Sequence, residues 1–134
     1  MKRSRDSRYI DPFTDFAFKR LFGSDPNKEL LIDLLNALFE GRKVITDIRY
    51  MNTESPGRDK EVRTVIFDLL CTGDQGELFL VEMQRAGQEY FKDRSIYYTS
   101  SLIGNQIRKG DARRWEYQLK EMYMIGLMDF CFND

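Results

Sequence analysis

Two apolar runs joined by a glycine-flanked turn limit most strongly how this chain folds: TVIFDLLCT at residues 64–72 and LFLVEMQ at residues 78–84. Their length and apolar character predict two strands, and Gly73-Asp74-Gln75-Gly76 between them predicts a tight reversal. Strand alternation groups Asp68 with Thr64, Ile66, Leu70 and Thr72, and turns Val65, Phe67, Leu69 and Cys71 to the other face. Glu82 and Gln84 likewise share a face with Leu78 and Leu80. A carboxylate inside an apolar strand is costly unless it is paired, metal-bound or at an open end of the sheet.

The turn decides whether the two carboxylates meet. A three-residue loop Asp74-Gln75-Gly76 puts the left-handed position on Gly76, a favoured hairpin form, and residues whose numbers sum to 150 then face each other. Asp68 then lies across from Glu82, with Cβ atoms about 5 Å apart. A two-residue turn offsets them by one position. At that separation two charged carboxylates repel by roughly 3 kcal/mol at an effective dielectric near 20. A shared proton or a hard divalent cation relieves the repulsion.

The rest of the chain supplies a frame for this hairpin. Asp11-Pro12 opens a predicted helix with Phe13, Phe16, Ala17 and Leu21 as its stripe and Gly23 as a left-handed end. Asp25-Pro26 opens a second helix, with Leu30, Leu31, Leu34, Leu35 and Leu38 at helical spacing and Gly41 closing it. The period then becomes alternating, with Val44, Thr46, Ile48 and Tyr50 on one face of a first strand. Residues 51–60 (MNTESPGRDK) are too polar to pack and predict an exposed loop. Residues 88–109 predict a helix faced by Phe91, Tyr98, Leu102, Ile103 and Ile107, with Gly110 ending it. The near-continuous apolar run at residues 123–132 predicts a strand buried on both faces. The element order is α-α-β-β-β-α-β. It implies an α/β domain whose mixed four-stranded sheet is a meander plus one right-handed crossover, with helices on both faces.

Composition narrows the chemistry. At 134 residues the chain fits one domain, read as residues 11–134 behind a flexible basic tail at residues 1–10. It carries no apolar run long enough to cross a bilayer, and no secretory leader, so a cytoplasmic location is expected. No histidine is present, which excludes Ser-His-Asp and Cys-His nucleophilic systems and the histidine zinc motifs. Cys71 and Cys131 sit in apolar runs and are expected to be buried, reduced thiols. Hard oxygen donors without histidine or a cysteine pair suit Mg²⁺ or Mn²⁺ better than zinc. Net charge is −1, but residues 85–114 hold seven Lys/Arg against three acids, and Lys2, Arg3, Arg5 and Arg8 add to the tail. These groups are either solvated helix faces or phosphate contacts. Tyr90, Tyr97 and Tyr98 offer a base-stacking surface, weighed against ordinary core packing at helical spacing.

Taken together, Phe67-Asp68 and Val81-Glu82-Met83-Gln84 resemble the active-site strands of the PD-(D/E)XK nuclease superfamily, whose restriction-endonuclease-like core is an α-β-β-β-α-β unit. The sequence is most similar to the recombination-promoting nuclease and transposase (Rpn-type) group. DPFTDFAFKRLFG looks like that group's opening helix motif and DRSIYY like its following helix. Phe67 replaces the proline of the superfamily pattern and Gln84 its lysine, the latter as is characteristic of the group.

The resemblance implies that Asp68, Glu82 and the Met83 carbonyl hold Mg²⁺ or Mn²⁺ and that Gln84 orients the attacking water, since an amide cannot take its proton. Asp15 is a further candidate acid, weighed against a capping or solvated role. The expected activity is metal-dependent endonucleolytic cleavage of DNA, of the transposase type. The alternatives are a catalytically inactive nuclease fold that binds DNA or assembles, a metal-free carboxylate hydrolase, and ordinary pairing of the two acids with Arg49, Arg63 or Arg85. A region beyond residue 134 is expected to carry specificity or homo-oligomerisation.

Overall fold

A computed structural model of the chain describes residues 9–55, 65–106, 116 and 118–131. Three helices, α1 (Asp15–Phe22), α2 (Lys28–Phe39) and α3 (Phe91–Gly104), surround a four-stranded sheet. Its strands are β1 (Ile48–Tyr50), β4 (Leu69–Gly73), β5 (Leu78–Gln84) and β6 (Met122–Met128), in the order β1-β4-β5-β6. A two-stranded ribbon, β2 (Glu54–Ser55) with β3 (Val65–Ile66), stands beside it. β1-β4 and β4-β5 are antiparallel and β5-β6 is parallel, so the mixed α/β architecture read from the sequence is the one formed. Among the described residues no helix is long and apolar enough to cross a membrane.

Odd-numbered residues of the central strands face α1 and α2. Leu69, Cys71, Phe79 and Val81 pack there with Phe18, Leu31, Ile32 and Leu35. Leu70, Leu78 and Leu80 point the other way, onto Leu102 and Tyr98 of α3. β5 is buried along nearly its whole length because it has a strand on each side and helices above and below. β6 is different. It is half-buried throughout because it forms the edge of the sheet, which corrects the expectation of a strand buried on both faces.

Several predicted boundaries shift for local reasons. α1 is capped by Thr14, whose hydroxyl accepts the Ala17 N–H at 3.2 Å, while Asp11 forms a turn just ahead of it by accepting the Phe13 N–H at 3.0 Å. Ala17 is buried as expected, but Phe16 is exposed and Phe18 is buried in its place. Gly23 is not left-handed (φ −106°). Its lack of a side chain accommodates Leu69, whose Cδ2 would lie 2.7 Å from a Cβ there. In α2, Leu30 and Leu38 are exposed, and Ile32 joins Leu31 and Leu35 in the core.

β1 begins only at Ile48. The preceding Ile45 is held by the side chain of Asn36, which donates to its carbonyl at 2.9 Å and accepts its N–H at 2.8 Å. Ile45 and Ile48 are therefore the buried pair, rather than alternate residues from Val44. The predicted loop after β1 contributes Glu54 and Ser55 to the ribbon with β3. Cys71 is buried but Cys131, past the end of β6, is exposed, so only one of the two expected buried thiols is found. Both are free. Residues 1–8, the Pro56-Gly57 turn, Arg63, Thr64, Ile107, the helix end at Lys109 and Gly110, and Phe132 lie outside the described residues.

The β4-β5 hairpin has the three-residue form. Gly73 N–H donates to the Glu77 carbonyl at 2.9 Å, Gly76 N–H donates to the Gly73 carbonyl at 3.2 Å, and Gly76 takes the left-handed position (φ +79°). Leu69 pairs with Val81 and Leu70 with Leu80, which is the register derived from the turn. A side chain at Gly76 carries a left-handed penalty of about 1 kcal/mol, which asparagine tolerates better than alanine. Gly76→Ala is expected to lower thermal stability, and Gly76→Asn to lower it less, in melts followed by circular dichroism.

Candidate metal centre

The site forms where β3 and β4, predicted as one strand, part company. In the regular ladder Phe67 would make the next hydrogen-bonded rung with Met83 beyond Leu69 and Val81. Phe67 N–H instead donates to the Thr53 carbonyl at 2.8 Å, turning the chain toward β2. The vacated Met83 N–H is taken by the Asp68 carboxylate, with Oδ2 at 2.9 Å. In return the Asp68 N–H donates to Glu82 Oε1 at 3.0 Å. Each acid is thus fixed by a backbone N–H of the opposing segment.

This break also changes the facing of the residues before it. Val65 and Phe67 pack on the α3 side together with Leu70, so the uninterrupted alternation expected from residue 64 to 72 slips at Asp68. Ile66, expected beside Asp68, is exposed. Asp68 and Glu82 nevertheless meet, because the register carries them opposite one another and the crossed bonds close the gap.

Glu82 is buried, with 4% of its surface exposed. Burial pushes its carboxyl up to about 7, and the neighbouring Asp68 carboxylate adds to the rise. The Asp68 N–H bond and the positive charge of Arg94 act in the opposite direction. Two carboxylates in contact, one of them reluctant to ionise, are what a hard cation would relieve.

Met83 and Gln84 complete the strand end. Gln84 is buried, and its carbonyl accepts the Asp129 N–H at 3.0 Å on the β6 side. Successive residues of a strand direct their amide groups to opposite edges. The Met83 carbonyl therefore faces the edge where its own N–H meets Asp68. Two carboxylates and one carbonyl, all oxygen, match the donor preference of Mg²⁺ and Mn²⁺. Among the described residues no group of three or more His, Cys, Asp or Glu gathers, so the acids stand as a pair. Asp15 is exposed in the first turn of α1 and forms an ion pair with Lys19 at 3.2 Å.

Ordinary ion pairing does not account for the acids among the described residues. Arg85 lies 3.7 Å from Asp11 instead, and Arg49 is exposed on β1. A cleft of about 230 Å³ reaches Asp68 from the α1 side, with Lys19, Tyr50, Met51 and Thr53 in its wall. The Tyr50 hydroxyl donates to the Phe22 carbonyl and so fixes β1 to the end of α1 beside that cleft. From the opening helix motif it is thus Lys19 that lines the cleft with Asp68, whereas the candidate the sequence offered from that helix, Asp15, is not in its wall and pairs with Lys19.

In the sequence Arg94 was one of seven basic residues and part of the DRSIYY segment, with no role at the site given to it. Its place in the first turn of α3, from which its charge acts on Glu82, depends on how the helix docks. Of the three tyrosines, Tyr98 packs edge-on against Phe67 at 5.3 Å between ring centroids, while Tyr90 and Tyr97 are exposed.

A search of curated proteins finds no match, and neither does a search of solved structures. A family model, PD-(D/E)XK nuclease family transposase, matches residues 12–134, from the turn before α1 to the end of the chain. It spans the opening helix, both strands of the acid pair and the helix that carries Arg94. The chain belongs to the PD-(D/E)XK nuclease family of transposases.

Proposed function

We propose that the chain is a divalent-metal-dependent DNA endonuclease of the transposase type, with Asp68, Glu82 and Gln84 as its catalytic side chains. The observation that carries this reading is the crossed Asp68–Glu82 arrangement: two acids held together at a strand end, each anchored by a backbone N–H. Asp68, Glu82 and the Met83 carbonyl would hold Mg²⁺ or Mn²⁺. Bound there, the cation would polarise the phosphodiester and make water more acidic.

The residues of the chain then divide the remaining work. Asp68 and Glu82 offset the cation's charge and, being anchored, lose little freedom on binding it. Gln84, two residues from Glu82 on the same face of β5, orients the attacking water through its amide. It brings no charge and takes no proton. The water oxygen bonds to phosphorus as the bond from phosphorus to one sugar oxygen breaks, and protons exchange through solvent. Phosphate contacts from Lys19 and the basic residues of α3 would position the DNA without reading bases. The cleft beside Lys19 supports that approach, since it opens onto Asp68.

Nicking of supercoiled plasmid is expected with Mg²⁺ or Mn²⁺, and none with EDTA. Asp68→Ala should reduce the rate by at least 100-fold, the scale of removing a group that stabilises transition-state charge. Nicking by Asp68→Ala at the wild-type rate would remove the site assignment. Absence of cleavage with every divalent ion would favour a binding or assembly role for the domain.

Stability offers a second test. The metal-free folded chain binds the Glu82 proton more tightly than the unfolded chain, whose carboxyl titrates near 4.5. The Glu82 contribution to stability is therefore full below that value and is lost as pH rises through about 7, by on the order of 1–3 kcal/mol. Thermal melts between pH 5 and 8 should show this loss in the wild type and not in Glu82→Gln, whose amide oxygen still accepts from Asp68. Mg²⁺ should restore the wild type at pH 8 and leave the variant unchanged.

A further inference from the structure

Behind the acid pair, on the α3 side of the sheet, lies a cationic group whose hydrogen bonding is incomplete. Glu82 pairs across the β5-β6 ladder with Gly126. Phe91 packs over Gly126, where a Cβ would sit in ordinary contact at 3.4 Å from Phe91 Cζ, so the first turn of α3 lies over the strand position next to Glu82. Arg94 and Tyr98 follow Phe91 at helical spacing and share its face.

The two rings bracket the Arg94 guanidinium. Its central carbon is 5.4 Å from the Phe91 ring centroid and 5.7 Å from that of Tyr98. Nη1 donates to Gln88 Oε1 at 2.6 Å, which fixes the plane of the fork. Nη2 is buried and has no hydrogen-bond partner among the described residues. A buried, charged donor without an acceptor is rare, because it forfeits its hydration for nothing. The Arg94 charge nevertheless reaches Glu82 and favours its ionised form.

A guanidinium held by rings and an amide, with one nitrogen unspent and its charge felt at Glu82, is suited to a bound anion. Arginine is suited to phosphate because its planar donors match the oxygen geometry and its charge does not titrate away. We propose that Arg94 Nη2, covered in this structure, is uncovered as DNA docks, contacts a non-bridging oxygen of the scissile phosphodiester and stabilises the charge that gathers there as the bond breaks. This rests on the reading of Asp68 and Glu82 as the site of cleavage. It adds a catalytic residue from α3, on a different element from the hairpin that supplies the acids. Phe91, Tyr98 and Gln88 are then positioning residues, since they act by holding the guanidinium.

The test uses the full chain and measures plasmid nicking, together with anisotropy of a labelled duplex over a range of salt concentrations. Arg94→Ala should slow nicking on the order of 10²- to 10³-fold, as loss of one preorganised donor does elsewhere. It should also lower the salt slope of DNA binding by about one phosphate contact. Arg94→Gln removes the charge while keeping a stem between the rings, and carries the same comparison if the alanine variant does not fold.

Three results would overturn the proposal: nicking within threefold of wild type, a salt slope unchanged despite lost activity, or full recovery of Arg94→Gln at raised pH. The last would show that Arg94 acts only by keeping Glu82 ionised. Asp68→Ala, run in parallel, separates the two layers. If it is inactive while Arg94→Ala cleaves normally, Arg94 alone is misassigned, and if it cleaves normally the site itself is.

Discussion

The exchange of hydrogen bonds between Asp68 and the end of β5 is the constraint on which the rest of the site depends. A β-ladder at this point would run on through Phe67 and Met83. The side chain of Asp68 takes the Met83 N–H instead, and its own N–H goes to Glu82. One break in the sheet thereby frees Phe67 to join the ribbon side, opens a cleft toward α1, and brings two carboxylates together. The backbone bonds lower the cost of that approach without cancelling it, since Glu82 remains harder to ionise than an exposed carboxyl. The arrangement keeps two acids together at a cost in stability, of the kind that a hard cation offsets.

Three layers of the fold converge on this point. The hairpin supplies the register, with Gly76 enabling a three-residue loop. On one face, α1 brings Lys19 to the cleft beside Asp68, and Gly23 at its end gives Leu69 the space it occupies. On the other face, α3 rests on Gly126 and presents Arg94 near Glu82. A site built where a sheet opens between helices has access from outside while its acids stay backed by packed β5. That combination suits a family whose substrate is an extended polyanion.

The legible part of this architecture was what local chemistry dictates. Turn length and a left-handed glycine decide the register of a short hairpin, so the facing of Asp68 and Glu82 followed from Gly73 to Gly76. The change of period after Gly41 marked the passage from helices to sheet. What escaped depended on contacts distant in sequence. The strand break at Asp68 arises from a bond to Met83, which no apolar pattern encodes. The displacement of the first strand to Ile48 arises from the Asn36 clamp on Ile45. The run through β6 is as apolar as that of β5, yet one is an edge and the other central, because sheet order is set by the crossover. Arg94 was one positive charge among several until α3 was docked.

Whether the crossed carboxylate pair seats a divalent cation decides between the readings of this site. Crystals of the full chain soaked in Mn²⁺ and measured at the manganese absorption edge address it most directly. An anomalous peak is expected in contact with Asp68, Glu82 and the Met83 carbonyl, with the bond from Asp68 N–H to Glu82 retained. Manganese bound elsewhere, or no peak between these oxygens at saturating Mn²⁺, would contradict it.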